Sequence, residues 1–453
     1  MQIKSEQTEI MNADLRKLVW KLSLPSIASM VLLGFNNLSD TFLIARFLGN
    51  TALSGAALAS PLVTIVIGIG YWIGTGAAHI ISNALGENDS EEQEKTLSSL
   101  LLLNFILCLF IVLPFYIYAE PLLKMIGSKG EALIYASAYL RTTLYLAPVW
   151  VYALSLHMII RSEGKIKEAA WMIGRGLLVN MVCTSIFLGI FKTGIEGAAW
   201  GTHIGMITLT AEQIFYFKNK NSSIRGNIFS WCYYPKTVNQ LLACGLPAFI
   251  FNLMSFIQAA VVFHIVTQIG TQEEVAFYAM SNVLYLFLMT PMYGFMRAYQ
   301  PVAGINYGAR LYMRVRKGFY IFSFASYVFI LPLWLLIILL PELTVGLLLP
   351  EYTLHKADVI NLRLYFSSVP LLPVMFMALS LFPSVKVSHY ATAVVSVRQL
   401  LLYIPAMLLF SYWLGISGIY AGSSLVNLLV FIGTIYLLYK CMTKLNENDG
   451  QCL

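Results

Sequence analysis

The chain has 453 residues, 58% of them hydrophobic and only 11% charged, with a mean hydropathy of +0.73. A soluble domain is nearer a quarter charged, so this balance excludes an ordinary globular enzyme and indicates a polytopic membrane protein. The net charge of +7 reads as a bias of basic residues toward one membrane side, which leaves nucleic acid out of the expected partners.

The polar start MQIKSEQTEIMNADLRK has no small-residue cleavage site after it, so the first apolar run is expected to stay in the protein. Runs long enough to span, about 20 residues each, fall at roughly 18–45, 52–85, 95–119, 131–160, 167–191 and 194–217. A second set falls at roughly 238–269, 275–307, 318–340, 354–382, 388–413 and 416–439. The first run carries one carboxylate, Asp40, in its far half, with Asn36 and Asn37 one turn before it on the same helix face. A carboxylate in a bilayer costs about 2.5–3.5 kcal/mol at a helix centre, so one that is retained marks an ion pathway, a relay or a buried pair. The competing reading is an acid near the helix end, capped and solvated.

Lys and Arg concentrate in the segments that share a side with the N-terminus, such as Arg161-Ser162-Glu163-Gly164-Lys165 and Arg314-Val315-Arg316-Lys317. The opposite side holds Arg46, Lys124, Lys129, Lys192 and Lys356, so both termini are expected in the cytoplasm of a cell whose plasma membrane holds the protein. The six cysteines (Cys108, Cys183, Cys232, Cys244, Cys441, Cys452) lack C-x-x-C spacing, which implies neither a disulfide framework nor a zinc site. Small apolar packing is their expected role.

The segment 219–236 divides the chain into an N-terminal lobe, 1–218, and a C-terminal lobe, 237–453, and the lobes repeat. Pro25 pairs with Pro247, Leu140-Arg141 with Leu362-Arg363, Pro148 with Pro370 and Gly86 with Gly308, all at an offset of 222. Six spans per repeat is an even number, so the repeats insert in the same direction. The fold expected is an all-α membrane protein with twelve transmembrane helices in two six-helix lobes, related by pseudo-two-fold symmetry along the membrane normal, as in transporters that rock two bundles. Gly197, Gly201 and Gly205 in the sixth span, and Gly418 and Gly422 in the twelfth, are expected at tight helix crossings. The chain has no G-x-x-x-x-G-K-[ST] loop, no H-E-x-x-H and no G-x-S-x-G, which argues against ATP-driven transport and against an intramembrane hydrolase; an enzyme is not expected.

The run Gln300-Pro301-Val302-Ala303-Gly304-Ile305-Asn306-Tyr307-Gly308-Ala309 resembles the Q-P-x-x-G-x-N-Y-G-A signature of multidrug and toxic compound extrusion (MATE) transporters. Asn83-Ala84-Leu85-Gly86, the Arg161 to Lys165 turn, and Arg398-Gln399 with Tyr403-Ile404-Pro405 resemble other family positions, and the likeness runs along the whole chain. The resemblance implies exchange of a cation for an organic substrate between two six-helix lobes. It places Asp40 on the family's first-span acid, and Asn180 on the Asn of an N-x-x-x-D pair whose Asp is replaced here by Thr184. Thr202 falls on a family hydroxyl, with Met206 one turn on, and His157 stands where the family has Asn. Ser255 and Asn427 stand where relatives carry acids, which leaves Asp40 as the main ion-carrying candidate.

Asn180 and Thr184 are four apart and share a helix face, so one carboxylate, an amide and hydroxyls are available to bind sodium or to hold a proton, with the proton preferred. His157 has a second reading as a structural hydrogen-bonding residue. His203 is expected to be a satisfied core residue, Glu212 to reach water, and Arg175 and Arg398 to pair with polar groups between helices. The function expected is a monomeric, cofactor-free antiporter exporting amphipathic, cationic organic compounds against H+ or Na+, with Na+ at Asp40 the only metal considered. The alternative is a flippase for lipid-linked oligosaccharide or polysaccharide.

Overall fold

The computed structural model describes residues 3–219, 221–349 and 352–450; Lys220 and Cys452 lie outside them. Among the described residues nine helices are long and apolar enough to cross a membrane, and the bent pair Gly130–Tyr145 and Ala147–Ser162 makes a tenth span. The first of the nine, Leu15–Glu87, is two spans, because Gly49 at φ 83°, ψ −180° breaks the helix in a region only glycine visits without strain. Ile195–Lys218 completes the twelve; it has the length, but Gly197, Gly201, Gly205, His203 and Glu212 dilute its apolar character.

Two spans expected as single helices are interrupted at repeat mates. The fourth bends by 58° between Tyr145 and Ala147, just ahead of Pro148. The tenth passes through the short 3-10 turn Val369–Leu371, which contains Pro370, between Lys356–Phe366 and Leu372–Ser384. Each proline removes an N–H and disfavours helix at the residue before it, so the repeat conserves the break along with the span. Wider π turns occur at Cys108–Val112 in the third span and Val397–Leu402 in the eleventh.

The described residues form two compact units. One comprises the chain up to Asn12 with Ala28–Asn252, the other Ala13–Ile27 with the chain from Leu253 onward. Each contains the same helix crossing. In the first unit Trp72 stacks on Phe249 at 4.6 Å between ring centroids and donates its indole N–H to the Leu242 carbonyl at 2.8 Å. In the second, Ile27 fills the space over Gly294, and Trp20 meets Phe295 edge-on at 5.9 Å. Ile27 and Phe249 are 222 apart, as are Trp72 and Gly294, so the repeat seen in the letters is a repeat of contacts. The crossing is backbone-close in the first unit, where a β-carbon on Gly245 would lie 1.9 Å from the Trp72 carbonyl oxygen.

The fourth, fifth and sixth spans of the first unit enclose an apolar cluster of Ala153, Ile160, Met172, Ile173, Leu177, Leu209 and Tyr216. A second cluster, of Ile44, Ala52, Leu188, Ile195 and Ala198, lies toward Gly49 and packs Tyr135 and Tyr139 against the first two spans.

Candidate functional site

Ile166–Gly189 and Ile195–Lys218, the fifth and sixth spans, form a hairpin whose glycines decide which side chains lie between them. A β-carbon on Gly201 would sit 2.1 Å from Thr184 Oγ1, and one on Gly205 would sit 2.6 Å from the Gly176 carbonyl and 2.7 Å from Asn180 Cβ. Thr184 therefore lies under Gly201, and Asn180 under Gly205. Held in that way, Asn180 donates its Nδ2–H to Thr202 Oγ1 at 2.9 Å, and the Thr202 hydroxyl donates to the Ala198 carbonyl at 3.3 Å. Asn180 and Thr184 are buried, at 3% and 0% exposure.

On the first span, Asn36 Nδ2 donates to Asp40 Oδ2 at 3.2 Å, the one-turn contact that the spacing predicts. Tyr139 lies close enough to feel the Asp40 charge. Asp40 Oδ1, Asn36 Oδ1, Asn180 Oδ1 and Thr184 Oγ1 are buried oxygens that meet no hydrogen-bond partner among the described residues. Groups that lack donors in this way suit a proton or an oxygen-liking cation. The structure forms two pairs, Asn36 with Asp40 and Asn180 with Thr202, and no hydrogen bond joins one pair to the other among the described residues. Asn37 is exposed and contributes only its carbonyl, which accepts from Thr41 at 2.8 Å. Met206 packs at the edge of the apolar cluster, and His157 is buried on Ala147–Ser162.

Several functional groups have clearer partners than their sequence positions gave them. Glu212, expected to reach water, is partly exposed and also pairs side-on with Arg175, at 2.7 Å from Nε and 2.9 Å from Nη2. His203, expected to be a satisfied core residue, meets the Thr142 carbonyl at 2.7 Å through Nε2, while its buried Nδ1 meets no partner among the described residues. Asp358 accepts from the His355 N–H and the Tyr352 hydroxyl, both at 3.0 Å, at the start of its helix.

Glu163, noticed in sequence only as part of a turn, is fully enclosed. It accepts from Ser222 Oγ at 2.7 Å, Ser223 N at 2.6 Å and Ser223 Oγ at 2.8 Å, which fastens the segment between the lobes to the turn after the fourth span. Burial pushes its carboxyl up to about 7 against those hydrogen bonds, which favour the charged form. The neighbouring Gly164 has φ +90° with Ile10 against it, and Lys165 pairs with Glu6 at 2.9 Å, so the N-terminal helix Ile3–Asn12 joins the same cluster.

Comparison with known proteins adds four findings. The MatE family model matches residues 25–186. The multidrug export protein MepA of Staphylococcus saprophyticus is 26% identical over 211 residues, 46% of this chain and 46% of that protein, so the chain matches just under half the length of this relative. The FAD transporter of Shewanella oneidensis is 23% identical over 456 residues, 98% of this chain and 99% of that protein. A crystal structure of MATE in the bent conformation superposes with a TM-score of 0.90 at 21% identity, over 98% of this chain and 99% of that one, a likeness of fold. With the Gln300 to Ala309 run on the eighth span and the same helix crossing built twice, these matches make the chain similar to multidrug and toxic compound extrusion transporters, whose fold it shares over 98% of its length.

Proposed function

We propose that the chain is a secondary active antiporter that exports amphipathic, mostly cationic organic compounds in exchange for inward protons, with sodium as the other coupling ion. The observation that carries this reading is Asp40, a carboxylate inside the first span with one oxygen held by the Asn36 amide and the other without a donor. A bare Asp40 accepts the Asn36 N–H. A protonated Asp40 becomes a donor, and the unmatched Asn36 Oδ1 one turn away is an acceptor for it, so loading the ion reverses the direction of this hydrogen bond. Coupling follows when ion and substrate prefer different arrangements of the lobes 1–218 and 237–453, joined through 219–236.

The relatives named for multidrug export and for FAD transport support an organic substrate. The bias of basic residues supports cytoplasmic termini and a plasma-membrane location, and a path within one chain makes a monomer sufficient. Efflux of ethidium from proteoliposomes with proton and sodium gradients imposed separately tests the reading. Export driven by the proton gradient in the wild type and lost in Asp40→Asn supports it, and equal export by the two proteins overturns the assignment of Asp40.

A further inference from the structure

We infer that the second lobe holds an anion-recognition site centred on Arg398, which takes the carboxylate or phosphate of an aromatic substrate; the inference rests on the transport reading above. Arg398 lies ten residues into the eleventh span, Ser388–Leu414, about 15 Å along the helix and so near mid-membrane. It sits in the π turn Val397–Leu402, a wider turn that recurs at functional sites. No carboxylate pairs with it among the described residues; Asp358, an acid within this lobe's spans, is occupied at its helix cap.

The surroundings hold one edge of the guanidinium and leave the other open. Arg398 Nε donates to Asn427 Oδ1 at 3.2 Å, and the guanidinium carbon is 5.9 Å from the centre of the Tyr403 ring. Asn427, 2% exposed, is itself fixed by donating Nδ2–H to Ser368 Oγ at 3.0 Å, so its oxygen is committed to Arg398. The terminal Nη–H groups meet no acceptor among the described residues. That edge has the parallel donor geometry that matches a carboxylate or phosphate with two hydrogen bonds. Tyr285, with its hydroxyl 3.5 Å from Asn427 Nδ2, lies 5.0 Å from Tyr365 between ring centroids and supplies an aromatic wall beside the charge. A tie between two helices needs no more than the Nε contact, whereas a guanidinium kept at this depth with its fork unspent needs an anion to offset its cost.

The test is binding of aminomethylcoumarin acetate and of its uncharged carboxamide, which share a ring system, to the full chain in phosphatidylcholine nanodiscs, followed by fluorescence anisotropy. The acetate should bind about tenfold more tightly than the carboxamide, and the preference should vanish in Arg398→Gln and partly return in Arg398→Lys, with both variants still folded and unfolding cooperatively at a temperature lowered by loss of the Asn427 contact. Asp40→Asn should keep the preference, which separates this result from failure of the coupling assignment. Equal affinities in the wild type, or a preference that survives Arg398→Gln, overturn the site. Repeating the titration with phosphatidylglycerol in the disc distinguishes the sources of anion: a preserved preference supports a soluble aromatic anion, and one erased by the lipid overturns that choice in favour of a lipid phosphate.

Discussion

At the offset that lays Pro25 on Pro247, Gly176 of the fifth span falls on Arg398 of the eleventh. In the first lobe a β-carbon on Gly176 would lie 3.0 Å from the Gly205 carbonyl, so the two helices meet backbone to backbone there, and among the described residues the charge between them is confined to the Arg175 to Glu212 ion pair. In the second lobe the equivalent position reaches across the helix pair with a guanidinium to Asn427 at 3.2 Å. The acid of the first lobe, Asp40, has no counterpart at the same offset, where Val262 is found. The repeat has preserved scaffold features, the proline breaks at Pro148 and Pro370 and the crossing of Trp72 with Phe249, while the ionisable groups have been assigned separately to each lobe.

If the first lobe depends on glycine contact, filling it should have the largest effect. Gly201→Ala puts a β-carbon 2.7 Å from the Thr184 backbone nitrogen, which cannot swing away, and should cost about 1–3 kcal/mol or more and lower folded yield. Gly433→Ala, where no atom lies within 4 Å, should leave the melting temperature unchanged or slightly raised. Similar losses in both variants would break the comparison.

Next in size are the two helix-to-helix amides. Asn427→Ala strips the acceptor from a guanidinium and should cost about 1.5–3 kcal/mol, whereas Asn180→Ala removes a neutral bond to Thr202 and should cost about 1 kcal/mol. Thermal unfolding in matched detergent measures both, and the reverse order would contradict the assignment of charge to the second lobe.

A pH dependence is also expected at the segment between the lobes. Glu163 titrates near 7 in the folded chain and near 4.5 as a free side chain, so the folded state holds its proton more firmly. Its contribution is fully present below about 4.5 and is lost as pH rises toward and through about 7. The melting temperature of the wild type should therefore fall relative to Glu163→Gln between pH 5 and 8, judged on the scale of those pKa values. Parallel curves would show that the enclosed carboxyl keeps its ordinary titration.

Apolar run length made the spans legible, including the break between the first two, since the polar residues around Gly49 fall between runs. The interruptions at Pro148 and Pro370 were readable as repeat anchors but not as bends, because both sit in runs long enough to span. Asn36 and Asp40 are local, and their spacing alone joins them. Asn37, three residues from Asp40, shows the limit of that rule, since a shared face does not fix a side chain's exposure.

Longer-range pairs needed the hairpin register. Arg175 lies eighteen residues before Thr193 and Glu212 eighteen after Gly194, so antiparallel spans turning there bring them level, a signal present in the sequence that residue-by-residue reading of charge does not use. Glu163 and Ser222 are joined through a segment with no helical period, and the π turn at Val397–Leu402 has no compositional mark. Both emerge only from packing.

The central claim is that substrate displaces a proton from Asp40, and the most direct measurement is proton release on adding ethidium to purified protein in weakly buffered, sodium-free detergent solution. Protons released by the wild type and not by Asp40→Asn, with ethidium still binding both, are the predicted result. Equal release from the two proteins would contradict the account and place the exchanged proton elsewhere in the chain.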